Sequence, residues 1–259
     1  MSNVGQRERA TQNRIIQLFQ NQLGYAYLGN WQDRPNNRNI EDGLLTAWLQ
    51  KRGYSETLIN RALHQLGQAA AIGEGKNLYD ANKAVYSLLR YGVKVKPGVG
   101  EQTQTVWLID WQHPLRNDFA VAEEVTIAGE RKKRPDVVLY VNGVALAALE
   151  LKRASVSVSE GIQQSLSNQN KAFIRDFFAT MQLVMAGNDT EGLRYGAIET
   201  KEKYYLSWRE ENPAYNPQSD DRAARYLPAA SCVVVGGATA LAPSTAPCCA
   251  WPTKAASWN

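Results

Sequence analysis

The chain has 259 residues, 44% of them hydrophobic and 21% charged, enough for one large domain or two small ones with an apolar core. A formal charge of +4 permits a polyanionic partner without demanding one. Two histidines far apart (His64 and His113) argue against a histidine-based zinc site or a Ser-His-Asp triad, and three cysteines near the C-terminal end (Cys232, Cys248, Cys249) leave the body without a disulfide framework, as fits a reducing cytoplasm.

The N-terminus, MSNVGQRERATQNR, is polar and charged with no apolar segment behind it, so no secretory signal is expected, and no apolar run in the chain is long enough to span a membrane. The spacing predicts a first helix from Gln6 to Leu23, with Ile15, Ile16, Leu18, Phe19 and Leu23 as its apolar stripe. The stretch GYAYLGNWQDRPNNRN reads as turns, anchored by Tyr25, Tyr27, Leu28 and Trp31. Asn39 suits an N-cap for a helix over Ile40–Arg52, with Glu41 and Asp42 in the first turn where the helix dipole favours acids. Ser55 caps a helix over Glu56–Ala71, and a fourth helix is expected over Leu78–Tyr91.

The period then changes. Thr103–Trp111, Phe119–Ile127, Asp136–Val141 and Val144–Lys152 are β-rich and bounded by Gly, Pro or Asn. The last two are joined by Asn142-Gly143, a strong hairpin signal, and are apolar on both faces, as strands covered by helices on each side should be. A helix over Ser159–Ala179, a strand over Gln182–Ala186 and a last strand over Tyr195–Glu199 follow. The order predicts an α/β or α+β class with a mixed central sheet flanked by helices.

The hairpin carries charge only at its base. Asp136 opens one strand, while Glu150 and Lys152 close the next and share a face at positions i and i+2. Magnesium takes hard oxygen ligands; Asp136, Glu150 and the carbonyl of Leu151 are the candidates, with Lys152 placed to stabilise charge on a phosphate. Arg131, Lys132, Lys133, Arg134 and Arg153 flank them, read either as a solvated loop or as a phosphate track. Register sets a condition. A strict two-residue loop pairs Val141 with Val144, puts Asp136 opposite Leu149 and turns it away from Glu150, so the site requires a wider loop or a bulge.

Arg134-Pro135-Asp136 with Glu150-Leu151-Lys152 resembles the signature of PD-(D/E)xK nucleases. Together with Glu8-Arg9-Ala10-Thr11-Gln12-Asn13-Arg14, LGYAYLGNW, Asn39-Ile40-Glu41 and Thr200-Lys201-Glu202 with Trp208, it is similar to the N-terminal region of the R subunit of type I restriction endonucleases, over about residues 4 to 218. The resemblance implies a restriction-endonuclease-like fold and a Mg2+-dependent, sequence-nonspecific endonuclease for double-stranded DNA in a host-defence system. Partner methyltransferase and specificity subunits come with it. It implies catalytic roles for Asp136, Glu150 and Lys152, and adds Glu41 as a further acid, with a simple helix-dipole acid as the equal alternative. The family's Gln-x-x-x-Tyr motif falls on Gln164 and Asn168, so the glutamine fits and the tyrosine does not; Gln169 with Phe173 is the alternative, with Gln169 as a DNA contact.

No G-x-x-x-x-G-K-[ST] is found in the chain, so the ATP that drives the family's full-length subunit is not expected to bind here. Residues 1–220 are expected to form the nuclease domain, helical to about residue 95 and sheet-based from about 100 to 210. The Ala/Pro-rich tail over 221–259 fits either a loosely structured segment or read-through or shifted-frame sequence after a truncated gene. Two other functions remain open: a non-catalytic docking module, and an α/β domain acting on a small phosphate ester through an apolar pocket without a basic rim.

Overall fold

The structure, a computed structural model, describes residues 3–73 and 75–208, with side chains from Arg9 onward. The tail beyond residue 220 lies outside the described residues. Helix α1 (Asn3–Asn21) is followed by strand β1 (Ala26–Asn30) and helices α2 (Asp42–Lys51), α3 (Glu56–Ala70) and α4 (Leu78–Tyr91). A small antiparallel pair, β2 (Val93–Val95) and β3 (Gln104–Val106), stands apart from the main sheet. Strands β4 (Phe119–Glu123), β5 (Val137–Val141) and β6 (Val144–Leu151) form a meander. Helix α5 (Val158–Asn168) then crosses to β7 (Leu183–Asn188), and β8 (Gly192–Gly196) and β9 (Leu206–Ser207) complete the edge.

The seven-stranded sheet runs β1-β4-β5-β6-β7-β8-β9, with β1/β4 and β6/β7 parallel and the other pairs antiparallel. It is the mixed sheet of an α/β fold. One face, through Val138, Tyr140, Ala148 and Val184, packs on α2, α3 and α4. The other, through Val121, Leu139, Ala147 and Met185, packs on Ile15, Ile16 and Phe19 of α1. Every residue of β5 and β6 is buried, so period-two alternation of polar and apolar residues is absent there because neither face meets water. Helix α5 covers Ala186 with Val158 and Ile162, and as the crossover between parallel β6 and β7 it places its own residues beside the carboxyl end of β6.

Several expected boundaries moved. The turn-rich stretch contains β1, whose partner β4 lies about ninety residues on in sequence; Trp31 N–H donates to the Glu123 carbonyl as the pairing ends. Asn39 does not cap α2. Glu41 holds that position, and the Asn39 amide donates to the Asp176 carbonyl instead. The expected helix over 159–179 stops at Asn168 and resumes as a short 3-10 turn at Arg175–Thr180. The chain turns there through Gln169 and Asn170, whose N–H groups bond the Leu166 and Ser167 carbonyls three residues back, and the Asn168 carbonyl accepts from the Ile174 N–H, while the Asn168 side-chain amide donates to Glu150. The strand expected over Phe119–Ile127 leaves the sheet after Glu123, and beyond it Ile127 and Lys133 form an isolated antiparallel bridge.

Candidate active site

The site is set by how the β5–β6 hairpin is built. Asn142 (φ 53°) and Gly143 (φ 85°) both sit in left-handed backbone, as a two-residue type I′ turn requires. A Cβ at Gly143 would lie 2.7 Å from Leu44 Cβ and from the Leu45 nitrogen, so the turn is also pressed against the start of α2. From this turn Val141 pairs with Val144 and Tyr140 with Ala145, the strict register that sends Asp136 to the wrong face. One residue later the register changes: Leu139 pairs with Ala147 and Val137 with Leu149, leaving Leu146 unopposed. Continued one step, the new register sets Asp136 opposite Glu150.

The bulge is stabilised by remote donors. The Thr180 hydroxyl donates to the Ala145 carbonyl (2.7 Å) and the Gln182 N–H to the Leu146 carbonyl (2.8 Å), so neither carbonyl beside the unopposed residue is left without a partner.

At the base, the Leu151 N–H donates to Asp136 Oδ2 at 2.7 Å. N–H and C=O of one strand residue point to the same neighbour, so the Leu151 carbonyl faces the Asp136 side as well. Glu150 is fully buried; its carboxylate accepts from Gln164 Nε2 at 2.6 Å and from Asn168 Nδ2 at 3.2 Å. Gln164 Oε1 in turn accepts from Lys152 Nζ at 2.7 Å, so one amide spans the acid and the base of the Glu-x-Lys pair. Burial pushes the Glu150 carboxyl well above the ordinary carboxylate range. The charge of Asp136, with which it shares a hydrogen bond, pushes it further up, against the pull of Lys152. Gly161 lets α5 approach this closely: a Cβ there would meet Ala186 Cβ at 3.0 Å and Lys152 Cγ at 3.4 Å.

Asp136, Glu150, Lys152 and Gln164 thus converge, and Asp136, Lys152 and Gln164 line an open cleft of about 600 Å3 whose rim carries Lys132, Lys133 and Arg134. Lys132 is exposed and Arg153 half-buried, neither with an ion-pair partner among the described residues; Lys133 lies over the Phe173 ring at 4.2 Å. The basic run is no loose loop, since Lys133 bridges Ile127 across a short extension of the β4–β5 ladder.

Two expected residues do not join. Glu41 sits at the turn end of the hairpin, its N–H on the Gly143 carbonyl. The length of β6, on the order of 20 Å, separates it from Glu150. Its buried carboxylate is held by Arg34 at 2.6 and 3.0 Å and by the Arg38 N–H, with Arg34 stacked on Trp31, so it pins the loop before α2 and does not reach the cleft. Gln169 is buried, its amide used by the Ser165 carbonyl and the Glu199 N–H, and is not available as a DNA contact. Conversely, Arg9, Gln12 and Glu124 line the cleft and Asn168 supports Glu150, none of them expected in these roles. An acid pair closing the apolar run FAVA is the same signal that marks Glu150, and it applied to Glu123-Glu124.

The family described as Type I restriction enzyme R protein N terminus matches residues 5–203. Among curated relatives, the chain is similar to the EcoprrI endonuclease subunit of Escherichia coli, 33% identical over 100 residues that make up 38% of this chain and 32% of that subunit. It is similar to the HindI endonuclease subunit of Haemophilus influenzae, 26% identical over 186 residues, 68% of this chain and 17% of that one. Similarity extends to the putative MjaIXP endonuclease subunit of Methanocaldococcus jannaschii, 27% identical over 137 residues, 49% of this chain and 13% of the relative. The chain therefore spans about a third or less of these relatives.

Proposed function

The chain belongs to the type I restriction enzyme R protein N-terminal family, and on that premise we propose that it is the endonuclease domain of a type I restriction system, hydrolysing phosphodiester bonds of double-stranded DNA in a Mg2+-dependent, sequence-nonspecific way. The observation that carries the reading is the Leu146 bulge, which puts Asp136 opposite Glu150 and beside Lys152 at a cation-rimmed cleft. The relatives are endonuclease subunits, and the reading takes that activity, and assembly with methyltransferase and specificity subunits, as this chain's own.

The donor set suits magnesium. Two carboxylates share a hydrogen bond, and one of them, fully buried, is driven toward its protonated form by burial and by the other's charge. A hard divalent cation offsets that repulsion, and Asp136, Glu150 and the Leu151 carbonyl would hold it. Bound there, magnesium supplies a Lewis acid for the phosphate and a water of lowered pKa. The chain's own groups do the rest. Gln164 fixes Lys152 against Glu150, so the ammonium stays at the cleft where charge develops on the phosphoryl oxygens. Asn168 and Gln164 orient the buried carboxylate, the part played elsewhere by supporting groups around metal ligands. Lys132 and Lys133 track neighbouring phosphates without reading bases, which accounts for cleavage without sequence preference.

Supercoiled plasmid incubated with the chain and Mg2+ tests this. Nicking is expected from the wild type and is expected to fall at least about a hundred-fold in Asp136→Asn and Lys152→Ala, with DNA binding retained. Equal nicking by either variant overturns the assignment.

A further inference from the structure

Beside the carboxylate pair, a second cluster sits at the rim of the cleft. Glu124 Oε2 lies 2.7 Å from Arg134 Nε, and Glu124 Oε1 lies 3.5 Å from a terminal nitrogen of Arg9, so two guanidinium groups from different elements converge on one carboxylate. Arg9 comes from α1 on one face of the sheet, Arg134 from the segment that leads into β5. Consecutive strand residues send their side chains to opposite faces, yet Glu123 and Glu124 both meet Arg9. The left-handed backbone of Glu124 (φ 53°) breaks the alternation where the strand leaves the sheet. For a residue with a Cβ this conformation costs free energy that the surroundings must offset.

The two acids divide the work. Glu123 is buried and holds the other terminal nitrogen of Arg9 at 2.9 Å, together with Gln12, Tyr27 and Asn30, which ties α1 and β1 to β4. Glu124 holds the loose end, and both arginine side chains remain nearly half exposed (42% and 47%) against 12% for Glu124. A carboxylate gripped by two converging guanidinium groups occupies a place that fits a phosphate diester, since Arg pairs with either anion through the same planar fork of donors.

We propose that Arg9 and Arg134 form a backbone-phosphate site at the cleft rim, and that Glu124 is the positioning residue that keeps them converged until a DNA phosphate replaces its carboxylate. This rests on the nuclease reading above. It makes α1 part of the substrate path as well as of the core, and it gives the bend at Glu124 a use.

The test is binding of a fluorescent duplex of about twenty base pairs without divalent metal, followed by anisotropy from about 50 to 200 mM salt. Arg9→Gln and Arg134→Gln are each expected to reduce the slope of log K against log salt by about 0.9, one phosphate apiece, and Arg9→Lys to keep it. Glu124→Gln keeps the side-chain shape and at most one of the two guanidinium hydrogen bonds, since its NH2 cannot accept, and removes the competing charge; it is expected to bind about two- to five-fold tighter, the fold-change of an exposed ion pair, with the slope unchanged. Thermal melts accompany each variant, and where Arg9→Gln fails to fold, Arg9→Lys and Glu124→Gln decide. Unchanged slope and affinity in a folded Arg9→Gln, or unchanged or weaker binding in Glu124→Gln, overturns the phosphate site and leaves the nuclease reading standing. A wild-type chain that binds no duplex DNA overturns both.

Discussion

Glu150 is a carboxylate the fold buries at a cost. Its pKa is raised by burial first and by Asp136 second, so the folded chain holds a proton that the unfolded chain releases near the ordinary glutamate value of about 4.3. A raised folded pKa contributes stability that is fully present below the unfolded pKa and lost as pH rises through the folded value. The metal-free chain is therefore expected to lose denaturation free energy as pH rises above the ordinary carboxylate range, and Glu150→Gln to flatten that decline. Urea titrations across pH measure it, and a variant whose profile parallels the wild type contradicts the assignment. The charged residues of the site were legible because Asp136, Glu150 and Lys152 punctuate apolar strands. Their supports were not. Asn168 stands where the resemblance implies a tyrosine, and only its amide's contact with the buried carboxylate at 3.2 Å reveals that the position serves Glu150. Glu41, added only by the resemblance, could not be told from a helix-dipole acid in the sequence, because helix starts favour acids whatever lies beside them.

Among the elements, the hairpin shows what local patterning can and cannot supply. Asn-Gly sets the turn, and the apolar runs set two fully buried strands. Register arithmetic then demanded a wider loop or a bulge without choosing between them. The chosen solution, an unopposed Leu146, carries no glycine or proline marker, and its neighbouring carbonyls are satisfied by Thr180 and Gln182, more than thirty residues later. Two variants separate packing from register. Leu146→Ala empties core volume and is expected to cost about 2–5 kcal/mol while Mg2+ binding persists. Deleting Leu146 straightens the strand, and the strict register of the shortened hairpin still pairs Asp136 with Glu150, so Mg2+ binding is expected to persist in whatever fraction folds; calorimetric titration reads both, and a folded deletion variant that has lost Mg2+ binding contradicts the register account. At the turn itself, Gly143→Ala combines left-handed strain with the 2.7 Å approach of α2 and is expected to destabilise by at least about 1–3 kcal/mol in denaturant melts. Strand β1 was missed for a related reason: its Tyr, Gly and Asn content reads as turn, and only a distant parallel partner makes it a strand.

Across the whole molecule, a mixed sheet with helices on both faces brings the residues of the cleft together from separate parts of the chain. The hairpin base supplies the carboxylates and α5 the amides, while α1, from the opposite face, supplies Arg9 and Gln12. Class and helix order were readable from periodicity, since each helix has one apolar stripe and each inner strand two apolar faces. Which helix delivers side chains to the carboxyl end of β6 depends on sheet order, which periodicity leaves open. On the proposed reading the same architecture couples the site to global stability, because a cation held by Asp136 and Glu150 would bind only the folded chain and would stabilise it by mass action. Chemical denaturation with and without Mg2+, on the wild type and on Asp136→Asn, tests the carboxylate pair most directly. The expected result is a wild-type gain of about 2.7 kcal/mol at a hundred times the dissociation constant, absent in Asp136→Asn. An equal gain in both proteins, or none in the wild type at saturating Mg2+, would contradict a metal site built by the Leu146 bulge.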